Sequence, residues 1–129
     1  MNQIQIPNKF KNITDQEIDK VAQSALLALD IQKSIVEIES IDKEEIAKLN
    51  FEYRRKNEPT DVLSFPLKQT PGKNNLLGNI FICEEVAEKR NEKLQELVKH
   101  GILHLIGADH EKDQASWDEM AEKINHKMG

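Results

Sequence analysis

Three of the chain's four histidines stand in one short pattern, His-x-x-x-His-x-x-Gly-x-Asp-His, which runs from His100 to His110. Residues four apart on an α-helix share a face, with Cβ atoms about 5–6 Å apart, so His100 and His104 can bind one metal ion if this segment is helical. Gly107 can adopt the left-handed conformation that is common just past a helix C-terminus. The chain can then turn back and bring His110 to the same ion, so the pattern requires a helix followed by a chain reversal.

The three imidazoles predict a metal site with a free coordination position. Catalytic zinc is usually held by three protein ligands and a water molecule, whereas structural zinc usually has four protein ligands. We therefore expect one Zn²⁺ ion at His100, His104 and His110, although nickel, iron or cobalt would also suit imidazole. Two alternatives to a metal site stay open: a histidine-rich surface turn, or a buried helix whose histidines bond to the backbone.

The position beside the first histidine separates this chain from one large group of zinc enzymes. Zinc peptidases with the pattern His-Glu-x-x-His use that glutamate as general base, and this chain has Gly101 there. Glycine cannot accept a proton, which disfavours peptide hydrolysis by that route. A metal can lower the pKa of bound water to about 7, or a carboxylate elsewhere can act as base. Asp109 is the nearest candidate; its alternative role is to accept the ring N–H of a ligand histidine.

Length and composition predict one soluble domain over residues 1–129. No apolar run approaches the roughly 18 residues of a membrane span, and the first residues lack the features of a signal peptide. We therefore expect a cytoplasmic protein with no membrane partner. The lone Cys83 cannot form an internal disulfide, and its apolar surroundings predict a core residue.

The charge distribution bears on nucleic-acid binding. The formal net charge is -5, which argues mildly against generic nucleic-acid binding, because affinity for phosphate is built mainly from Lys and Arg. The run Arg54-Arg55-Lys56 is the one compact basic cluster that we expect outside the helices. A bound divalent ion would add positive charge at the site.

Hydrophobic periodicity predicts a mixture of short strands and helices. Strands are expected at 4–6, 34–41, 62–65 and 76–83, and the last of these is the most apolar and therefore predicted to be central in its sheet. Helices are expected at about 15–29 with Thr14 as cap, after a cap at Asp42, from Glu84 with an interruption at Asn91, at about 93–106 and from Ser116. Residues 69–75 are the most loop-like stretch of the chain and are predicted to form a hairpin or a flap that can cover a site. Because the strands and helices do not alternate strictly, we predict an α+β fold with one mixed four-stranded sheet packed with several helices.

Three segments together resemble one family, the bacterial YbeY endoribonucleases. The first is Tyr53-Arg54 leading to Pro59-Thr60-Asp61-Val62-Leu63-Ser64-Phe65-Pro66, the second is Leu77-Gly78-Asn79-Ile80, and the third is the histidine pattern. They occur in order over roughly 49–110, and the histidine pattern with glycine in its second place is highly specific.

The resemblance implies a zinc-dependent, single-strand-specific endoribonuclease with a zincin-like fold, that is, one resembling the zinc peptidases. It implies a role in small-subunit ribosomal RNA maturation and ribosome quality control, with single-stranded RNA and the small ribosomal subunit or its assembly factors as partners. By position, His100, His104 and His110 would be the zinc ligands. Arg54 would be the family's active-site arginine, with a surface salt bridge as its alternative role. Together with Asp109, the nearest carboxylate to the histidines, Arg54 completes the set of expected catalytic residues.

Two departures from the family and two rival functions stay open. The family's Gly-Asp-Ile reads Gly78-Asn79-Ile80 here, and the connection from Cys83 to His100 is short. One rival is a metallopeptidase or amidohydrolase, against which Gly101 counts. The other is a non-catalytic ribosome-assembly factor in which zinc staples the histidine helix to the chain that follows it.

Overall fold

The structure is a computed structural model, and it describes residues 2–66 and 76–106. The strands are β1 (Gln3–Gln5), β2 (Ile35–Ser40), β3 (Val62–Pro66) and β4 (Leu76–Ile82), and the helices are α1 (Asp15–Ala28), α2 (Lys43–Arg54), α3 (Glu84–Lys89) and α4 (Leu94–Leu105). The predicted loop at 69–75 and the predicted helix from Ser116 lie outside the described residues. The same is true of Gly107, Asp109 and His110.

The four described strands form one sheet in the order β1-β2-β4-β3. β1 and β4 run parallel to β2, and β3 runs antiparallel to β4. The predicted α+β class with a mixed four-stranded sheet is therefore confirmed. β4, whose nearly unbroken apolar sequence predicted a central position, lies between two neighbours, and β3 is an edge strand.

Side-chain caps define the starts of the first two helices, as the sequence predicted. The Thr14 hydroxyl oxygen accepts a hydrogen bond from the Glu17 N–H at 3.1 Å, and Asp42 Oδ1 accepts one from the Glu45 N–H at 2.7 Å. Each bond satisfies an N–H that has no partner inside its own helix. The predicted interruption at Asn91 is also confirmed, because that residue takes a left-handed φ of 54° between α3 and α4.

One expectation about α2 is wrong. The basic cluster was predicted to lie outside the helices, but α2 continues to Arg54. The helix ends at Arg54 because the next residue, Arg55, adopts a left-handed conformation (φ 60°, ψ 26°). The Arg55 N–H donates to the Phe51 carbonyl oxygen at 3.0 Å. Arg54 is therefore held on a helix end rather than in a loop.

The core is divided between the two faces of the sheet, because alternate side chains of a strand point to opposite faces. The larger cluster joins α1 and α4 to the sheet and includes Ile18, Ala22, Leu26, Val36, Ile38, Ile80, Ile82, Leu97, Val98 and Ile102. The smaller cluster contains Ile41, Ile46, Leu63, Cys83 and Val86, with Leu49, Phe65 and Phe81 packed against it. Cys83 is fully buried, so the core position predicted for it is confirmed. Among helices in the described part of the chain, none has the length and apolar character needed to cross a bilayer.

Two glycines let α4 approach the sheet closely. A Cβ added at Gly101 would lie 2.6 Å from Cγ2 of Ile80 on β4, closer than non-bonded carbon atoms pack. A Cβ added at Gly78 would lie 2.6 Å from Cδ2 of Leu105 on α4, and Gly78 has a φ of 153° that favours glycine. The helix that carries the histidine pattern is therefore seated directly on β4.

Candidate active site

His100 and His104 lie one turn apart near the C-terminal end of α4. The helix predicted for this segment is confirmed, and with it the shared side of the two imidazoles. His100 is exposed and His104 is half-buried. Residues 2–66 and 76–106 alone hold no group of three metal-binding side chains. His110, the third predicted ligand, lies outside those ranges, so the complete metal site stays a prediction.

An open cavity of ≈ 430 Å³ lies at the edge strand β3. Its walls come from three elements: Tyr53 and Arg54 at the end of α2, residues 62–65 of β3, and His104 of α4. We call this space the histidine cavity. Its size falls within the roughly 300–1,000 Å³ of typical ligand sites. The structure thus brings together Arg54 and His104, two site residues that the sequence predicted from separate segments.

Arg54 is exposed at the wall of this cavity. The alternative role considered for it was a surface salt bridge. Within the ranges that the structure describes, no carboxylate pairs with Arg54 or with Arg55. The Arg54 guanidinium can therefore meet an anionic group that enters the histidine cavity without first breaking an ion pair there.

Ser64 connects the strand wall of the cavity to the histidine helix. Its hydroxyl donates a hydrogen bond to the Gly101 carbonyl oxygen at 3.1 Å. Gly101 lies three residues before His104 on the same helix. The bond therefore holds β3 and α4 in a fixed relation, a structural contribution that sequence reasoning left unassigned for Ser64.

Asp61 anchors the beginning of β3 outside the cavity wall. Its carbonyl oxygen accepts from the Cys83 N–H at 2.9 Å, and its Oδ1 accepts from the Val62 N–H at 2.8 Å and the Thr60 hydroxyl at 3.2 Å. Its Oδ2 lies 3.6 Å from Arg90 Nη1. Asp61 therefore ties the strand that lines the histidine cavity to the turn between α3 and α4.

A second carboxyl group, that of Glu92, interacts with Asp61. The hydrogen bond to Asp61, burial and the negative charge of Asp61 together raise the pKa of Glu92 to about 7. Burial acts to raise the pKa of Asp61, but the bonds from Glu92 and the Val62 N–H and the charge of Arg90 outweigh it, so that pKa is lowered. No sequence pattern indicated this pair, because its members lie in two loops that are far apart in the sequence.

The raised pKa of Glu92 predicts a pH dependence of stability. The folded protein holds the Glu92 proton more tightly than the unfolded chain, whose pKa is near 4.5. The stabilisation is therefore complete below pH 4.5 and is lost as pH rises toward 7. Glu92→Gln keeps a neutral hydrogen-bonding group at every pH. Above pH 7 its free energy of unfolding is therefore expected to exceed that of the wild type by about 1 kcal/mol. The difference is small because water screens these partly exposed groups.

Urea unfolding between about pH 5 and pH 8 measures this effect. The matched control is Glu88→Gln on α3, whose side chain is exposed. If Glu92→Gln and the wild type lose stability in parallel over this range, the pKa of Glu92 is not raised in the folded protein.

Comparison with known proteins is consistent with this architecture. The sequence profile described as Endoribonuclease YbeY matches residues 1–128. An Endoribonuclease YbeY of Aquifex aeolicus (strain VF5) is 36% identical over 119 residues, which cover 86% of this chain and 79% of the relative. An Endoribonuclease YbeY of Nautilia profundicola is 39% identical over 128 residues and 90% of both chains.

A solved structure supports the fold independently. The solution structure of TM1509 from Thermotoga maritima is similar with a TM-score of 0.55 and 29% sequence identity. The similarity covers 98% of this chain and 86% of the solved one. With a family profile that matches nearly every residue and relatives above 30% identity over most of their length, the chain belongs to the Endoribonuclease YbeY family.

Proposed function

We propose that this protein is a metal-dependent endoribonuclease that cleaves single-stranded RNA in the histidine cavity. The observation that carries the proposal is that Arg54 and His104 border one cavity although they come from different helices. An arginine suits the charge and planar geometry of a phosphate group, and an imidazole suits a metal ion. Family membership supplies the reaction, since the relatives are named endoribonucleases.

The proposed metal ligands are His100, His104 and His110, with one Zn²⁺ ion. The donor set fits that ion: two imidazoles one helical turn apart on α4, one of them half-buried at the cavity wall. Zinc bound there would supply a Lewis acid and lower the pKa of a bound water to about 7. Asp109 is the proposed base or, alternatively, the acceptor for a ring N–H of a ligand histidine.

Arg54 is the proposed phosphate-binding residue. Its guanidinium can donate two parallel N–H bonds to phosphate oxygens, and it stays charged at any pH of interest. Negative charge on these oxygens increases during phosphodiester cleavage, so the bonds strengthen in the transition state. Ser64 contributes indirectly, since its bond to Gly101 keeps the strand wall and the histidine helix together.

The biological setting is proposed from the family. We propose small-subunit ribosomal RNA as substrate, ribosome quality control as a second role, and the cytoplasm as location. The small ribosomal subunit or its assembly factors are the proposed partners, and residues 1–129 are the proposed catalytic domain.

One experiment separates this function from its rivals. Untagged protein is incubated with single-stranded RNA and with a panel of peptides, each with and without a chelator. Cleavage of RNA alone, lost on chelation, is the expected result. Peptide cleavage would favour a metallopeptidase or amidohydrolase. Metal-dependent folding without turnover in either panel would favour an assembly factor.

The role of Arg54 is tested by substitution. Arg54→Ala is expected to lower RNA cleavage about 10²–10³-fold, the usual cost of losing one group that stabilises transition-state charge. The cleavage rate of Arg54→Lys should lie between those of the wild type and Arg54→Ala, because lysine keeps the charge but lacks the planar guanidinium. Metal content should stay at the wild-type level in both variants.

The neighbouring arginine supplies the matched control. Arg55 does not border the histidine cavity, so Arg55→Gln should cleave RNA at nearly the wild-type rate. Equal losses in Arg54→Ala and Arg55→Gln would indicate that general positive charge, rather than one positioned guanidinium, assists the reaction.

A further inference from the structure

We propose that a second cavity, next to the histidine cavity, holds one unpaired base of the RNA strand. This cavity measures ≈ 480 Å³ and is lined by Leu49, Tyr53, Phe65, Pro66, Asn79 and Phe81. We call it the base pocket. The inference rests on the proposed function, because it takes RNA as the substrate.

The walls of the base pocket suit a flat, neutral ring. Rings of Tyr53 and Phe65 lie with centroids 4.8 Å apart, and those of Phe65 and Phe81 with centroids 5.6 Å apart. Tyr53 is nevertheless 65% exposed, so much of its ring is open to a further partner. Single-stranded RNA is commonly bound by stacking its bases on such aromatic rings. No charged side chain among the described residues lines the pocket, which disfavours a phosphate or a metal ion there.

Asn79 supplies the polar group that a base would contact. It pairs directly with Phe65 across β3 and β4, so the two side chains share one face of the sheet. Its Oδ1 is buried, and the described residues offer it no hydrogen-bond donor. An unsatisfied buried carbonyl is costly, and it would gain a donor if the Asn79 amide turned toward a base in the pocket.

The base pocket and the histidine cavity are adjacent. Tyr53 and Phe65 border both of them, and Arg54 follows Tyr53 on the same helix end. A strand whose phosphate contacts Arg54 can therefore place a neighbouring base against Tyr53. A base-paired nucleotide is not free to turn into such a pocket, so this arrangement also favours single-stranded RNA.

The amide of Asn79 gives the pocket a base preference of its own. An amide offers a donor and an acceptor, whereas the carboxylate that the family pattern has at this position offers only acceptors. Asn79→Asp is therefore expected to disfavour uracil, whose single N3–H lies between two carbonyl oxygens that a carboxylate repels, and to retain cytosine, whose amino group at the end of that edge can donate to a carboxylate.

Direct binding is measured by NMR titration of the full chain with AMP, CMP, GMP and UMP. The expected result is a shift of the Tyr53 signals and of the Asn79 side-chain amide. N-acetyltyrosine amide serves as a competing probe of peptide character. If that compound shifts both residues and the nucleotides do not, the pocket takes an aromatic peptide side chain and the proposal is overturned.

Affinity for four short single-stranded RNA homopolymers, measured with chelator to prevent cleavage, tests stacking on Tyr53 and hydrogen bonding to Asn79 separately. Tyr53→Ala is expected to weaken binding about tenfold, since one stacked base is lost. Phe51→Ala is the matched control, because Phe51 is an exposed aromatic residue on the same helix that borders neither cavity. Asn79→Leu should change the ratio of affinities among the four homopolymers, which a merely structural role would leave unchanged.

The outcomes distinguish this proposal from the proposed function. If the wild type cleaves RNA while Tyr53→Ala binds normally and Asn79→Leu keeps the wild-type ratios, the base pocket is wrong and the endoribonuclease stands. If nucleotides shift Tyr53 and Asn79 but no RNA is cleaved, the pocket stands and the catalytic proposal fails.

Discussion

Replacing His104 with alanine is expected to abolish RNA cleavage while the protein stays folded. His104 is the predicted ligand that borders the histidine cavity together with Arg54. Loss of a residue that only hydrogen-bonds to a metal ligand already lowers metal affinity or activity about 10–100-fold, and loss of the ligand itself should lower them more. The side chain is only half-buried, so its removal leaves no large cavity in the core.

Metal content, RNA cleavage and circular dichroism are the three measurements for this variant. Elemental analysis of untagged protein should find less bound metal in His104→Ala, with a wild-type helical spectrum. His110→Ala should behave in the same way if the third ligand is assigned correctly. The control is His126→Ala, which changes the one histidine outside the pattern. Wild-type metal content and cleavage in His104→Ala would exclude the predicted metal site.

Introducing the peptidase glutamate at Gly101 is expected to destabilise the protein strongly rather than create a peptidase. A Cβ at this position would lie 2.6 Å from Cγ2 of Ile80 and 2.9 Å from its Cδ1. Ile80 is β-branched and fully buried, so it cannot rotate aside freely. Overpacking and an unpaired buried carboxylate should together cost about 4 kcal/mol or more, a large share of a typical domain's stability.

A double-mutant cycle identifies the cause of that loss. Gly101→Ala should destabilise by about 1 kcal/mol, because a clash of about 1–3 kcal/mol is partly offset by the better helix propensity of alanine. Ile80→Ala leaves a cavity on its own, but it also removes the atoms that the new Cβ would meet. The double variant should therefore lose clearly less stability than the sum of the losses in the two single variants. Additive losses in urea unfolding would show that the contact between α4 and β4 does not require glycine.

The close contact at Gly101 also accounts for the departure of this chain from the peptidase pattern. The residue after the first histidine faces Ile80 on β4, where a side chain fits only if Ile80 moves. The main chain at this position has another contact, since its carbonyl oxygen accepts the Ser64 hydroxyl. A general base for the proposed reaction therefore has to come from elsewhere, and Asp109 stays the predicted candidate.

The sequence alone determined the local elements of this fold. Thr14 and Asp42 marked the starts of two helices because a cap acts on an N–H only three residues away. The spacing of His100 and His104 required a helix, and α4 runs through both. The end of α2 was misjudged, because a left-handed Arg55 has no reliable sequence signal when the residue is not glycine.

Only the tertiary structure decided which of these elements meet. Three features join segments far apart in sequence: the strand order, the meeting of Arg54 with His104 at one cavity, and the interaction of Asp61 with Glu92. Periodicity and capping reflect interactions within about one turn or one strand pair, so they predict each element but not its neighbours. Side chains packed between distant segments set those neighbours, as the contact of Gly101 with Ile80 does, and they brought separately predicted residues to one site.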